Sequence, residues 1–145
     1  MRDGLRVPYT PARTERGDAH LRPQLPIVLR RGTSSVETVG LVDSGADVNV
    51  LPYPMGTELG ADRSTSLPAV QLSGNLGRYE ARGIVLDAAV GSLPPVRLAF
   101  AWTRAEHLPL ILGQVNFFAE FDVCFFRSLG FLEIRPRAAD AGPPR

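Results

Sequence analysis

The sequence predicts a domain of the all-β class, mostly strands with one short helix, closed in a barrel-like arrangement. Short apolar runs, several rich in β-branched residues, recur along the chain and are separated by turns that contain glycine or proline. A single clear segment has apolar residues at the spacing of a helix face. With 145 residues, 44% hydrophobic and 21% charged, the chain can bury one core without a disulfide or a metal staple.

We expect one ordered domain between two flexible ends. Residues 1–23 are rich in proline, arginine and glycine and show no periodicity, which predicts a flexible N-terminal arm. Residues 24–136 carry the strand patterns and are predicted to form the domain. Residues 137–145 are small or proline-rich and are expected to form a flexible C-terminal tail.

The first two predicted strands lead to an acidic turn. They cover residues 25–30 and 36–42 and are joined by a turn at 31–34. The second of these strands ends at Asp43, and another apolar run follows the turn at 48–51. The acidic turn is therefore bracketed by two buried strands.

A glycine-tipped hairpin is predicted in the middle of the chain. Segments 69–73 and 78–87 flank Gly74, Asn75, Leu76 and Gly77, and glycine and asparagine accept the positive φ angles of tight turns. This hairpin is the best candidate for a movable cover over a binding site.

The remaining elements follow from the same alternation of turns and apolar runs. We expect a short helix or turn at 53–59, strands at 84–90, 96–102 and 109–113, a short helix within 114–121, and a closing hairpin of 123–126 and 131–134.

Composition argues against several classes of partner. The formal net charge is +1, from 16 basic and 15 acidic residues, so no strong field attracts nucleic acid or an anionic membrane. No unbroken apolar stretch reaches the roughly 18 residues of a membrane helix. The first twenty residues lack the apolar core of a secretion signal, and we expect a cytoplasmic location.

Asp43 is the strongest candidate for chemistry. A carboxylate between two buried strands is seldom tolerated without a partner or a purpose. The sequence Asp-Ser-Gly occurs once in the chain. Hydrolysis by a pair of carboxylates would therefore take its second aspartate from another copy of the chain. The alternative is an aspartate that only shapes the turn.

Three features together resemble the retropepsin family, the single-lobe aspartic proteases of retroviruses and their cellular and bacterial relatives. They are the turn from Val42 to Asp47, the glycine-tipped hairpin at 71–83, and the Ile111-Leu112-Gly113 element followed by a short helix. Their order and separation fit the family, and the resemblance covers residues 24–136. It implies a single-lobe closed barrel that works as a dimer.

The resemblance also implies roles for individual residues. Asp43 is then catalytic, one from each chain, and no metal or organic cofactor is needed. The other implied site residues are Ser44, Gly45, Ala46 and Asp47 in the active-site turn, Ser73, Gly74, Asn75, Leu76 and Gly77 in a substrate-binding flap, and Ile111, Leu112 and Gly113 in the second signature.

The activity implied is that of a homodimeric aspartic endopeptidase. Water activated between two Asp43 carboxylates would attack an extended, largely apolar peptide held under the flap. One alternative is a catalytically silent module that keeps the fold and holds a peptide or assembles. Another is a domain whose residues 1–23 are removed by self-cleavage.

One position departs from the viral pattern. Viral members often place an arginine after the glycine of the second signature, where it pairs with the aspartate that matches Asp47, but here the residue is Gln114. Viral-style bracing of a dimer is therefore not expected. Asp47 has two open interpretations, a cap of the turn through its own side chain or a role toward substrate or the interface.

The other polar and aromatic candidates have structural interpretations. His20 and His107 are too isolated for a metal site. Cys124 lies between Val123 and Phe125, which predicts a buried thiol. Four aromatic residues are expected in the core or at an interface: Trp102, Phe117, Phe118 and Phe121.

Overall fold

The computed structural model describes residues 4–62 and 67–138. Within this part, the strands are β1 Leu5–Pro8, β2 Thr10–Arg13, β3 Ala19–Arg22, β4 Gln24–Arg31, β5 Ser34–Val42, β6 Asn49–Leu51, β7 Ala81–Ala89, β8 Val96–Thr103, β9 Leu110–Leu112, β10 Phe121–Phe126 and β11 Phe131–Pro136. The helices are α1 Tyr53–Glu58 and α2 Phe117–Glu120, and 3-10 turns cover Gly74–Arg78 and Arg127–Leu129.

Six strands close into a barrel in the order β4-β5-β9-β6-β8-β7, with β7 pairing back onto β4. β5 pairs in parallel with β9, and β6 pairs in parallel with β8. The core follows from strand alternation: in β4, Leu25, Ile27 and Leu29 point inward and are buried, whereas the residues between them are more exposed. The predicted mostly-β closed barrel is confirmed.

The N-terminal segment differs from the flexible arm that its composition predicts. It contains three strands, of which β2 and β3 pair with each other and β1 pairs with β11. Val7 lies opposite Leu132, and both are buried. The apolar residues of this segment are too sparse to show periodicity, and β1 is held by a strand more than a hundred residues away in sequence.

The hairpin at 69–87 is only partly formed. The structure has no strand at 69–73, where Ala69 makes an isolated bridge to Arg82. The tip is a 3-10 turn instead of a tight hairpin turn. The side-chain amide of Gln71 supports this turn, because Nε2 donates to the carbonyls of Leu72 and Gly77, each at 3.0 Å.

The aromatic residues and the cysteine have different outcomes. Trp102, Phe117 and Phe121 are buried in the core, and Phe118 packs against it. The prediction of a buried thiol is wrong, since Cys124 is exposed. Cys124 pairs with Glu133, so it lies on the solvent face of its sheet. Because successive side chains of a strand point to opposite faces, apolar neighbours do not predict that the residue between them is buried.

The other predicted strands and helices are present with shifted ends. α1 and α2 are shorter than the segments predicted for them, while β4, β5, β7 and β11 are longer. No helix in residues 4–62 or 67–138 has the length and apolar character needed to cross a membrane.

Truncating Val7 tests whether the N-terminal segment is part of the fold. We expect Val7→Ala to lower the free energy of unfolding by about 2 kcal/mol, because a buried side chain loses two methyl groups. Val85→Ala is the matched control, since Val85 is 51% exposed in β7, and its effect should stay within about 0.5 kcal/mol. Urea unfolding measures both, and equal effects would contradict the packing of β1.

Candidate active site

Asp43 occupies the start of the turn that links β5 to β6. Its backbone N–H donates to the carbonyl of Leu112 at 3.0 Å, which joins the turn to the end of β9. The N–H of Gly45 donates to Oδ1 of the same carboxylate at 2.9 Å. Asp43 is half-buried, and no other hydrogen bond to its carboxylate comes from the described residues. One carboxylate oxygen is thus oriented by the turn while the other remains available.

The second signature lies directly against this turn. β9 runs parallel to β5, with Leu112 opposite Val42, so both strands end at the same level. A Cβ on Gly113 would approach the carbonyl oxygens of Ala46 and Val48 to 2.7 and 2.6 Å. These are backbone atoms that cannot move aside, so the crossing requires glycine at this position.

Gln114 binds the turn that starts at Asp43 through its neutral side chain. Its Nε2 donates to the carbonyl of Ser44 at 2.9 Å, and its backbone N–H donates to the carbonyl of Ala46 at 2.9 Å. The carbonyl of Asp47 accepts the N–H of Val115 at 2.9 Å. The Asp47 carboxylate makes no hydrogen bond or ion pair to any described residue, so the interpretation as a side-chain cap is not supported.

Sequence reasoning missed Asn49, which is fully buried next to the site. Its Oδ1 accepts the N–H of Gly113 at 2.7 Å, and its Nδ2 donates to the carbonyl of Ala99 at 3.0 Å. Asn116 lies on the same network, where its Oδ1 accepts the N–H of Ala99 at 2.9 Å. The signal in the sequence was a polar residue inside the apolar run 48–51, a position where a buried amide needs partners.

A cleft of about 290 Å³ opens beside the turn. The residues of the active-site turn that line it are Gly45, Ala46 and Asp47, and the others are Val48, Val50, Gln71, Leu72, Ser73, Leu76 and Ile111. Five of these seven other residues are aliphatic.

Six of the thirteen predicted site residues line this cleft, and Asp43 lies in the same turn without being one of them. Of the predicted flap, Ser73 and Leu76 line it, and Gly74, Asn75 and Gly77 belong to the same 3-10 turn. Leu112 and Gly113 are buried behind it, and Ser44 is exposed. A second cavity, of about 240 Å³ beside Tyr53 and Trp102, contains none of the predicted site residues.

Comparisons with solved structures show which fold this is. The chain is similar to a retropepsin-like aspartic protease from Rickettsia conorii, with a TM-score of 0.60 and 17% identity over 94% of this chain and 97% of that one. It is also similar to EIAV protease in complex with the inhibitor HBY-793, with a TM-score of 0.50 and 18% identity over 64% of this chain and 82% of that one. The chain therefore has a retropepsin-like fold.

At the level of sequence the comparisons find no relatives. No protein-family model matches the chain, and no curated protein matches it significantly. At 17% and 18% identity, the structural likeness concerns the fold alone.

Asn49 offers a test of how the turn is held. Asn49→Ala leaves the buried N–H of Gly113 and the carbonyl of Ala99 without their partner, so we expect a loss of about 2–3 kcal/mol in the free energy of unfolding. Asn75→Ala, at an exposed residue of the 3-10 turn, is the control and should change it by less than about 0.5 kcal/mol. Chemical unfolding measures both variants, and a neutral Asn49→Ala would show that the network does not support the site.

Proposed function

We propose that this retropepsin-fold chain is a homodimeric aspartic endopeptidase whose dyad is formed by Asp43 of two copies. The observation that carries the proposal is the half-exposed Asp43 carboxylate, oriented by the Gly45 N–H next to an aliphatic cleft. Each chain supplies one such aspartate in an Asp-Ser-Gly turn. The fold itself is similar to that of a retropepsin-like aspartic protease from Rickettsia conorii.

The chemistry follows from placing two carboxylates within hydrogen-bond reach. Both cannot be ionised comfortably, so the pair holds one proton and titrates as a unit. The ionised Asp43 accepts a proton from water as the water oxygen bonds to the peptide carbonyl carbon, and the protonated Asp43 donates to the carbonyl oxygen. As the tetrahedral intermediate collapses, one Asp43 donates its proton to the leaving nitrogen and the C–N bond breaks. The other Asp43 accepts a proton from a hydroxyl of the intermediate, which forms the carboxylic acid and restores the singly protonated pair.

The cleft suits an extended peptide. Backbone at Gly45 and Ser73 can pair with substrate main chain as with an added strand. Val50, Leu76 and Ile111 favour apolar substrate side chains, since burying them removes apolar surface from water. The Asp47 carboxylate is exposed at the cleft and available to accept a substrate N–H.

The loop from Gln71 to Gly77 takes the role of the flap. It faces the active-site turn across the cleft, and outside its 3-10 turn it is irregular. Opening and closing of this loop would admit the peptide and then exclude bulk water. Ser44, exposed next to Asp43, would contact its counterpart across the two-fold axis.

Replacing the catalytic carboxylate tests the proposal. We expect Asp43→Asn to lower the rate of peptide cleavage by about a thousandfold or more, because the amide can neither accept nor share the proton. The substrate is a random peptide library, and cleavage is followed by mass spectrometry from acidic to neutral pH. Asp87→Asn, at an exposed aspartate of β7, is the control and should remain active.

Mixing the two proteins tests for a dyad shared between chains. With free subunit exchange, equal parts of wild type and Asp43→Asn leave about a quarter of the dimers with two Asp43 carboxylates, so activity should fall to about a quarter. A fall to half would mean that each chain works alone. Wild type that cleaves nothing at any pH while binding peptides would favour the silent module.

A further inference from the structure

The second cavity, of about 240 Å³, lies where β6 and β8 end. These strands run parallel with Leu51 opposite Trp102, so Tyr53 and Arg104, each two residues further on, follow at the same level. The rings of Tyr53 and Trp102 are stacked with their centroids 5.2 Å apart, and Trp102 Nε1 donates to the carbonyl of Tyr53 at 3.0 Å. We call this space the Trp102 cavity.

Arg104 brings a positive charge to the Trp102 cavity that the chain leaves without a counterion. Its guanidinium lies over the ring of Tyr53, with Cζ 4.8 Å from the ring centroid, and its backbone N–H donates to the carbonyl of Glu80 at 2.9 Å. Within residues 4–62 and 67–138, its buried Nε has no hydrogen-bond partner and its guanidinium forms no ion pair. Shielding a cation from water without a partner costs free energy. An anion in the cavity would recover it.

The other charged residues of the cavity do not supply this anion. Arg82 Nε donates to Oε1 of Glu80 at 3.1 Å and Nη1 donates to the carbonyl of Leu67 at 3.2 Å, so Arg82 and Glu80 offset each other. Asp62 also lines the cavity and is exposed. Neither Asp62 nor Glu80 forms an ion pair with Arg104.

We propose that the Trp102 cavity binds a small monocarboxylic acid, as its anion, through the guanidinium of Arg104. A guanidinium presents paired N–H donors that match the two oxygens of a carboxylate. Tyr53, Leu67 and Trp102 line the same cavity and favour an apolar body on the acid, because contact with them removes apolar surface from water.

The size and charge of the Trp102 cavity narrow the ligand further. Sites for drug-sized ligands measure about 300–1,000 Å³, so a cavity of about 240 Å³ suits a smaller molecule. Asp62 and Glu80 repel additional negative charge, which favours a monoanion over a dianion such as phosphate. Benzoate has the required single charge and apolar body and serves as the probe.

The Trp102 cavity is separate from the cleft beside Asp43. Val50 lines the cleft, whereas its neighbour Leu51 lies in the main hydrophobic core with Trp102. Successive residues of a strand point to opposite faces, so β6 presents one face to the cleft and the other to the core. Binding of the acid therefore does not depend on Asp43 and goes beyond the proposed function.

The chain carries its own reporter for this cavity. Trp102 is the only tryptophan among the 145 residues and is 4% exposed. We expect benzoate to bind with a dissociation constant of about 1 mM or lower and to change the fluorescence of Trp102. Benzamide has nearly the same shape without the charge, and it should bind at least about tenfold more weakly. Calorimetry gives both constants, and inorganic phosphate should also bind more weakly than benzoate.

Substituting the arginine tests the assigned partner. We expect Arg104→Gln to weaken benzoate binding at least about tenfold, because the charge-assisted pair is lost. Arg127→Gln is the matched control, since Arg127 also lies over a tyrosine ring, 5.9 Å from the centroid of Tyr9, and is exposed. Its effect should stay below about threefold. Circular dichroism checks the fold of both variants.

The outcomes separate this cavity from the active site. Binding that Asp43→Asn retains and Arg104→Gln weakens supports the inference, whether or not the wild type cleaves peptides. No change of fluorescence up to about 10 mM benzoate, equal affinity for benzamide or phosphate, or an unchanged Arg104→Gln would overturn it. Loss of binding in Asp43→Asn would place the acid at the active-site turn and also overturn it. If Arg104→Gln does not fold, the comparison of benzoate with benzamide on the wild type decides.

Discussion

The site depends on the close crossing of two chain segments at Gly113. There the end of β9 lies against the carbonyls of Ala46 and Val48, so close that a single methyl group would not fit. The buried Asn49 accepts the N–H that this crossing would otherwise leave unpaired. Because the N–H of Asp43 bonds to Leu112, the residue before Gly113, the crossing determines where the carboxylate lies.

The barrel and the outer sheet contribute to the structure in different ways. The closed barrel supplies the strands that carry the active-site turn and the walls of the cleft. The sheet of β1, β11 and β10 lies outside the barrel, and its buried residues Val7, Leu132 and Ile134 belong to the same hydrophobic core.

The strands of the barrel and the turn at Asp43 could be predicted from local pattern, whereas three features could not. Alternation along β4 and the apolar runs beside Asp43 are local patterns, so they predict strands without knowledge of the neighbouring elements. The role of β1 depends on pairing with β11, more than a hundred residues away, and leaves no periodic signal. The exposure of Cys124 depends on its place at a sheet edge, and the contact of Gln114 with Ser44 depends on a crossing that only the folded chain creates.

The amide at Gln114 has a consequence for how the turn at Asp43 responds to acid. An arginine at this position that paired with Asp47 would hold the turn through an ion pair, which depends on the charge of both side chains. The hydrogen bond from Gln114 to the Ser44 carbonyl instead joins two neutral groups. Neither of them gains or loses a proton in acid. The active-site turn is thereby held at Ser44 by a hydrogen bond whose two partners stay neutral in acid.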